Sequence, residues 1–320
     1  MARVLITGGT GFIGSHLVRD CLSRGDAVTV LARPGSDPWR MADVLERVTL
    51  VRAHPLDGGA TAAAVLHARP ERVFHLAAMT RAPAREDLSD LGDALSANAA
   101  PLQVIIDALR RLEGPPPALV RTGTLAELGE ADRILDPGEA ERPQEGYGLS
   151  ALMATHMLRL ARARLGLPAV TARLCLTYGG DQSADFLIPD LIRKGLSGIP
   201  ADVRRPNAQR DLLHVSDCVA ALQVIADHAA ALPPVVAVAT GQPVPMGGVA
   251  GVIAALIEGR DAMPPLRPPV PADAAHVVSC RPSPELAALG WATRVALPAG
   301  LHQTIEWERS RIIPRQERRA

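Results

Sequence analysis

Apolar and polar positions alternate along the first half of the chain in two rhythms. Short apolar runs at 3–7, 27–32, 48–52, 72–76, 118–122 and 169–174 have the length and Val/Leu/Ile content of buried strands. Between them lie helical segments. Residues 14–24 put Leu17, Val18, Cys21 and Leu22 on one face, and Gly25 stops them. Residues 61–68, a long stretch at 95–112 with Val104, Ile105 and Ala108 inward, and another at 147–165 read as further helices. Strands alternating with helices at this spacing predict an α/β fold of the Rossmann type, with a doubly wound parallel sheet. After residue 178 the rhythm changes. Helices are expected at 186–196 and 219–230, and a strand at 235–239 is expected to return to the sheet. A segment at 263–271 with five prolines reads as a loop. The expected division is a first, sheet-containing domain at 1–177 plus strand 235–240. A smaller C-terminal substrate lobe takes 178–234 and 241–313, and 314–320 is a tail.

Composition narrows the class. The 320 residues are 48% hydrophobic and 21% charged, ordinary for an enzyme with a sizeable core. Thirty-four basic residues balance thirty-four acidic ones, which gives no bulk electrostatic case for nucleic acid. The absence of a signal peptide pattern or a membrane-length apolar run leads to the expectation of a cytoplasmic protein. Cys21, Cys175, Cys218 and Cys280 lack metal-ligand spacing and read as core residues. The basic residues are almost all arginine, with Lys194 the single lysine.

The chemistry begins after the first strand. Gly8, Gly11 and Gly14 lie between a strand and a helix, where glycines permit a tight turn and close approach of backbone to a pyrophosphate. The helix N-terminus adds N–H groups and partial positive charge, and Phe12 and Ile13 belong to the same cradle.

The spacing Gly8-x-x-Gly11-x-x-Gly14 resembles the extended short-chain dehydrogenase/reductase superfamily of nucleotide-sugar epimerases, dehydratases and ketoreductases. So do Phe74-His75-Leu76-Ala77-Ala78, Asn98, the segment from Tyr147 to Tyr178, and Arg210-Asp211-Leu212-Leu213-His214-Val215-Ser216-Asp217. The resemblance implies cofactor contacts at Leu76, Ala77, Ala78 and Asn98. It implies that Tyr147 moves the proton at a sugar carbinol or ketone and that Thr124 holds the reacting oxygen, with Thr122 as the alternative. Ala151 stands where the family has a lysine that lowers the Tyr pKa and holds the nicotinamide ribose. Three readings of Ala151 stay open: another cation or none serves the reaction, the fold hosts non-redox chemistry, or the position was altered. Leu125-Ala126 stand where 4,6-dehydratases carry Asp-Glu, which favours a 4-ketoreductase or an epimerase of a nucleotide-linked 4-keto-6-deoxy sugar. The alternatives are a non-redox enzyme on this fold and a silent NAD(P)-binding protein.

The second strand ends at Arg33, a cation where an NAD enzyme carries an acid, so NADP is expected and NAD is the alternative. Ser36 and Arg40 are expected to assist. Asp57 ends a segment resembling the family's adenine contact, with His54 where the family has an Asp. Arg210 is expected on a nucleotide phosphate, which suits a forked guanidinium. Thr80, Arg173 and Tyr178 are expected along the substrate cleft. The resemblance also implies a homodimer through helices 95–112 and 147–165.

Overall fold

The computed structural model describes the chain except residues 81–84, 86, 201, 261–263, 265, 267–275 and 318–320, and side chains to residue 311. The elements are β1 (Arg3–Thr7), α1 (Phe12–Ser23), β2 (Ala27–Ala32), β3 (Thr49–Arg52), α2 (Gly58–Ala68), β4 (Arg72–His75), α3 (Ser89–Asn98), α4 (Ala100–Leu109), β5 (Ala118–Thr124), α5 (Gly146–Leu165), β6 (Ala169–Leu174) and β7 (Leu176–Tyr178). They continue with α6 (Leu187–Leu196), β8 (Gln209–Arg210), β9 (Leu212–His214), α7 (Val215–Asp227), β10 (Val235–Val238), β11 (Val244–Pro245), α8 (Met246–Ile257), β12 (Val277–Val278), α9 (Pro284–Ala288) and α10 (Leu297–Glu317).

Seven strands form one parallel sheet in the order β10-β6-β5-β4-β1-β2-β3. Both faces are covered, so its strands are apolar on both sides. One core joins Val4, Ile6, Val30, Phe74 and Val120 to Leu17 and Cys21 of α1 and Leu222 and Ile225 of α7. The other joins Leu5, Val73, Leu119 and Ala169 to Val65 of α2, Ile105 of α4 and Leu158 of α5. A third core packs α6, α8 and α10 through Leu191, Ile253 and Leu301. Helix α7 packs on the sheet beside α1, although it lies in the stretch expected for the smaller lobe. The strand order reverses between β1 and β4, and in such sheets ligands bind beyond the strand C-termini at that point.

The stretch expected as one helix over 95–112 is two helices. Pro101 opens α4 and has no N–H to continue the ladder of α3. The buried Asn98 ends α3. The four cysteines are free and buried. Most of the expected proline loop at 263–271, and the side chains of the expected tail at 314–320, lie outside the described residues. Among the described residues no helix is long and apolar enough to cross a membrane.

Candidate active site

The glycine cradle is built by exclusion of side chains. Gly8 has φ +72°, and a Cβ there would lie 2.7 Å from the backbone of Leu76 and Ala77. A Cβ on Gly14 would run into the Gly8 carbonyl, so α1 could not pack this close to β1. Gly11 caps α1 without a side chain, and the first turn carries no acid. The N-terminal N–H groups of α1 therefore remain available to an anion. These glycines, Phe12 and Ile13 form one wall of a cleft of about 870 Å³, with Arg40, Leu76, Ala78 and Thr80 beside them. A cradle that any Cβ would fill, at a helix start free of acid, fits a dinucleotide pyrophosphate.

Thr122, Thr124 and Tyr147, from β5 and α5, form a second wall of the same cleft. Thr124 ends β5 and caps the short turn that follows: its Oγ1 accepts the N–H of Ala126, and its own N–H donates to Glu127 Oε1. Tyr147 lies in the first turn of α5 and lines the cleft with Thr124. Burial pushes the Tyr147 phenol up from its ordinary value, while the nearby Thr124 side chain and the charge of Arg121 limit the rise. Ala151, one turn further along α5, is buried and does not line the cleft.

Behind this wall lies a charged group that the sequence reading did not assemble. Glu127, fully buried, accepts from Arg173 Nε and Nη2 at 3.1 and 3.0 Å and from the Thr155 hydroxyl at 2.9 Å. Arg121 Nη1 donates to Thr155 Oγ1 at 3.0 Å and lies 3.7 Å from Glu127 Oε1. A second carboxylate, Glu141, accepts from Arg173 at 3.2 Å. The available signal was an arginine inside an apolar strand and a glutamate just after it, since buried charges must pair.

The other expected site residues divide. Arg210 reaches the cleft, half-buried, with Nη2 on Glu130 Oε1 at 2.7 Å and Nη1 on the His276 carbonyl at 2.9 Å. Glu130, His276, Gln144 and Glu145 also line this end and were not anticipated. Two residues expected along the cleft do not line it. Arg173 is 1% exposed and is held by Glu127 and Glu141. Tyr178 is equally buried, packs edge-on against His214 and donates to the Leu297 carbonyl. In both cases the strand that carries the residue turns its side chain into the core.

On the cofactor side, Ala77 donates its N–H to Thr7 Oγ1. Asn98 uses Oδ1 for the Met79 N–H and Nδ2 for Ser150 Oγ, so it ties the β4 loop to α5. Asp57 caps α2 by accepting the Ala60 N–H. Arg33 is exposed where β2 ends, with Ser36 one turn on. Arg40 stacks over Trp39 and donates to the Asp181 carbonyl. Asp211, fully buried, gathers Thr240, Gly241 and Ser279, and His214 caps α7 by accepting the Ser216 N–H.

Comparison with known proteins agrees with this geometry. The chain is 26% identical to a dTDP-glucose 4,6-dehydratase of Neisseria meningitidis over 96% of this chain and 93% of the relative. It is 27% identical to a dTDP-4-dehydro-6-deoxy-D-allose reductase of Streptomyces bikiniensis over 68% and 70%. The structure of Thermus thermophilus UDP-glucose 4-epimerase in complex with NAD superposes with a TM-score of 0.79 at 25% identity, over 96% of this chain and 99% of that one. The model of the NAD-dependent epimerase/dehydratase family matches residues 4–239. That span runs from β1 through both walls of the cleft to β10, and the chain belongs to this family.

Proposed function

We propose that this chain is an NAD(P)-dependent reductase or epimerase of a nucleotide-linked 4-keto-6-deoxy sugar, with reduction of the 4-ketone the better-supported direction. The observation that carries the reading is that Thr124 and Tyr147 line one cleft with the glycine cradle. A nicotinamide dinucleotide bound in the cradle supplies the hydride. Thr124 holds the sugar C4 oxygen, and Tyr147 Oη delivers the proton to it. Burial raises the Tyr147 phenol above its ordinary value, and the protonated phenol is the form that donates to a ketone. Leu125 and Ala126 follow Thr124, so the acid pair for eliminating water is absent there. Arg210 serves the nucleotide phosphates. The Streptomyces bikiniensis relative is itself a reductase of a dTDP-4-dehydro-6-deoxy sugar.

We assign NADP as the preferred cofactor. Arg33 is free of any ion pair among the described residues, and Arg52 donates to the Ser36 carbonyl beside it. These cations suit a 2′-phosphate. A second copy of the chain is the proposed partner. Leu149, Met153 and Leu160 form an exposed apolar stripe on α5.

The test is oxidation of NADPH and NADH by the full chain with a panel of nucleotide-linked 4-keto-6-deoxy sugars. Turnover is expected, faster with NADPH. Tyr147→Phe is expected to lower kcat by about 10²–10⁴-fold with cofactor affinity unchanged. Oxidation of neither coenzyme, together with no interconversion of epimeric sugars by the cofactor-loaded chain, overturns the reading and leaves non-redox chemistry, the use that a buried alanine at 151 also permits.

A further inference from the structure

The cradle of Gly8, Gly11 and Gly14 offers an anion backbone N–H groups. Arg40 lines the cleft beside it. Its Nε donates to the Asp181 carbonyl at 2.8 Å, and its guanidinium lies 4.3 Å from the centre of the Trp39 ring. Its two Nη groups have no partner among the described residues. Arg33 and Ser36, beyond the end of β2, do not line this cleft.

Arg40 is fixed against the first turns of α1. Arg19 of α1 donates to the Arg40 carbonyl and grips Asp43 at 2.9 and 2.7 Å, and Met41 is buried in the core that holds Leu17. His16, one turn from Phe12 of the cradle and edge-on to its ring, donates to the Gly180 carbonyl at 2.9 Å. The segment 180–181 thus holds α1 with one carbonyl and Arg40 with the next. That segment rests on α10. A Cβ on Gly180 would lie 2.8 Å from the Trp307 ring. Asp181, 5% exposed, is kept at φ +69°, a conformation that a non-glycine residue holds only where its surroundings enforce it. Its Oδ1 accepts from Arg311 Nη1 at 3.2 Å, and the Arg311 guanidinium lies over both Trp39 and Trp307, 4.2 and 4.7 Å from the ring centres.

Three arginines here meet two carboxylates. Arg19 pairs with Asp43 and reaches Asp181 at 3.8 Å, and Arg311 takes Asp181. Asp37 accepts the Trp39 N–H and makes no ion pair with Arg40. The unmatched charge is that of Arg40, and it stands on the wall that the glycines form. A half-buried guanidinium with a free fork matches phosphate oxygens in charge and shape.

We propose that Arg40 is a side-chain ligand of the cofactor pyrophosphate, held in place from α10 by Arg311 and Trp307 through Trp39 and Asp181. The dinucleotide site thereby includes the last helix of the chain. Arg40 is the binding residue; Trp39, Asp181, Trp307 and Arg311 are positioning residues. The inference rests on the nicotinamide dinucleotide assigned above. It gives Arg40 to the phosphates common to NADP and NAD, not to the 2′-phosphate.

Calorimetric titration of the full chain with NADPH and with NADH tests this without any sugar. Arg40→Gln is expected to weaken both coenzymes by about tenfold or more, the scale for losing charge-assisted hydrogen bonds, with the ratio of the two affinities unchanged. Weakening of NADPH alone would put Arg40 on the 2′-phosphate and overturn the proposal, as would no weakening. Arg311→Gln is expected to weaken both coenzymes by about threefold in the parent and by nothing further in Arg40→Gln, because the brace acts through Arg40. Additive losses, which packing of α10 alone would give, overturn the brace. Should Arg40→Gln fail to fold, Trp39→Leu removes an exposed ring on which Arg40 lies. Equal weakening of both coenzymes there supports the proposal, and unmoved affinities overturn it. A parent that binds neither coenzyme sinks the assigned cofactor and this inference together. Binding that responds as expected, without turnover on any sugar, sinks the assigned reaction and leaves Arg40 in its role.

Discussion

The two walls of the cleft are built from opposite materials. The cradle wall is backbone: Gly8, Gly11 and Gly14 exclude Cβ atoms so that β1, the β4 loop and the start of α1 close on one another. The Tyr147 wall is side chain. Its tyrosine is backed by five groups, Arg121, Glu127, Glu141, Thr155 and Arg173, drawn from β5, the segments after it, α5 and β6. A backbone site tolerates change wherever no Cβ intrudes, whereas a side-chain network fails when any member is lost. His75 joins the walls, hydrogen-bonded to Thr7 next to the cradle and neighbouring Arg121 on the next strand.

Four measurements break or sharpen this contrast. The largest effect is expected from Glu127→Ala, which strands Arg121 and Arg173 without their shared carboxylate. Removing one partner of a buried pair costs about 3–5 kcal/mol, so chemical denaturation should show a large loss of stability. A loss below about 1 kcal/mol would mean that the network is looser than its distances imply. Gly8→Ala comes next. A side chain at φ +72° against the Leu76 backbone costs about 1–3 kcal/mol. Calorimetric titration with NADPH should show weakening of at least about tenfold, equivalent to about 1.4 kcal/mol. Unchanged affinity would show that the backbone wall gives way more readily than the side-chain wall.

The third measurement concerns His75. Burial pushes its pKa down to about 3 from 6.5. The folded chain therefore keeps the ring neutral while the unfolded chain protonates below pH 6.5. Stability is expected to fall by up to about 1.4 kcal/mol per pH unit as pH drops from 6.5 toward 3. Urea melts of His75→Asn across that window should show a shallower acid loss, and a slope identical to the parent's would remove His75 from the account. The smallest effect is Arg33→Glu, at the edge of the cradle wall. The ratio of NADPH to NADH efficiency is expected to fall about tenfold, equivalent to about 1.4 kcal/mol. No change would move the 2′-phosphate away from the end of β2.

The strands at 27–32 and 169–174 and the return of β10 to the sheet were legible because a parallel sheet covered on both faces needs continuous apolar runs. The cradle was legible because its function lies in the absence of side chains, which a glycine spacing records directly. The break at Asn98 was not, since apolar periodicity continues across Pro101 and only the missing N–H divides the helix. Arg173 and Tyr178 belong to motif positions near a strand end. Their side chains turn inward, and only the packing decides that.

The sequence alone determined the sheet and the glycine cradle, because each rests on local spacing within one element or one turn, and the family resemblance suggested the pair Thr124 and Tyr147. The tertiary structure decided what stands behind that pair. Thr155 is far along the chain from Arg121 and Glu127, yet the end of β5 and the packing of α5 bring their charged and hydroxyl groups within about 4 Å of one another. Coulomb energy and hydrogen bonding depend on that separation, and no one-dimensional pattern carries it.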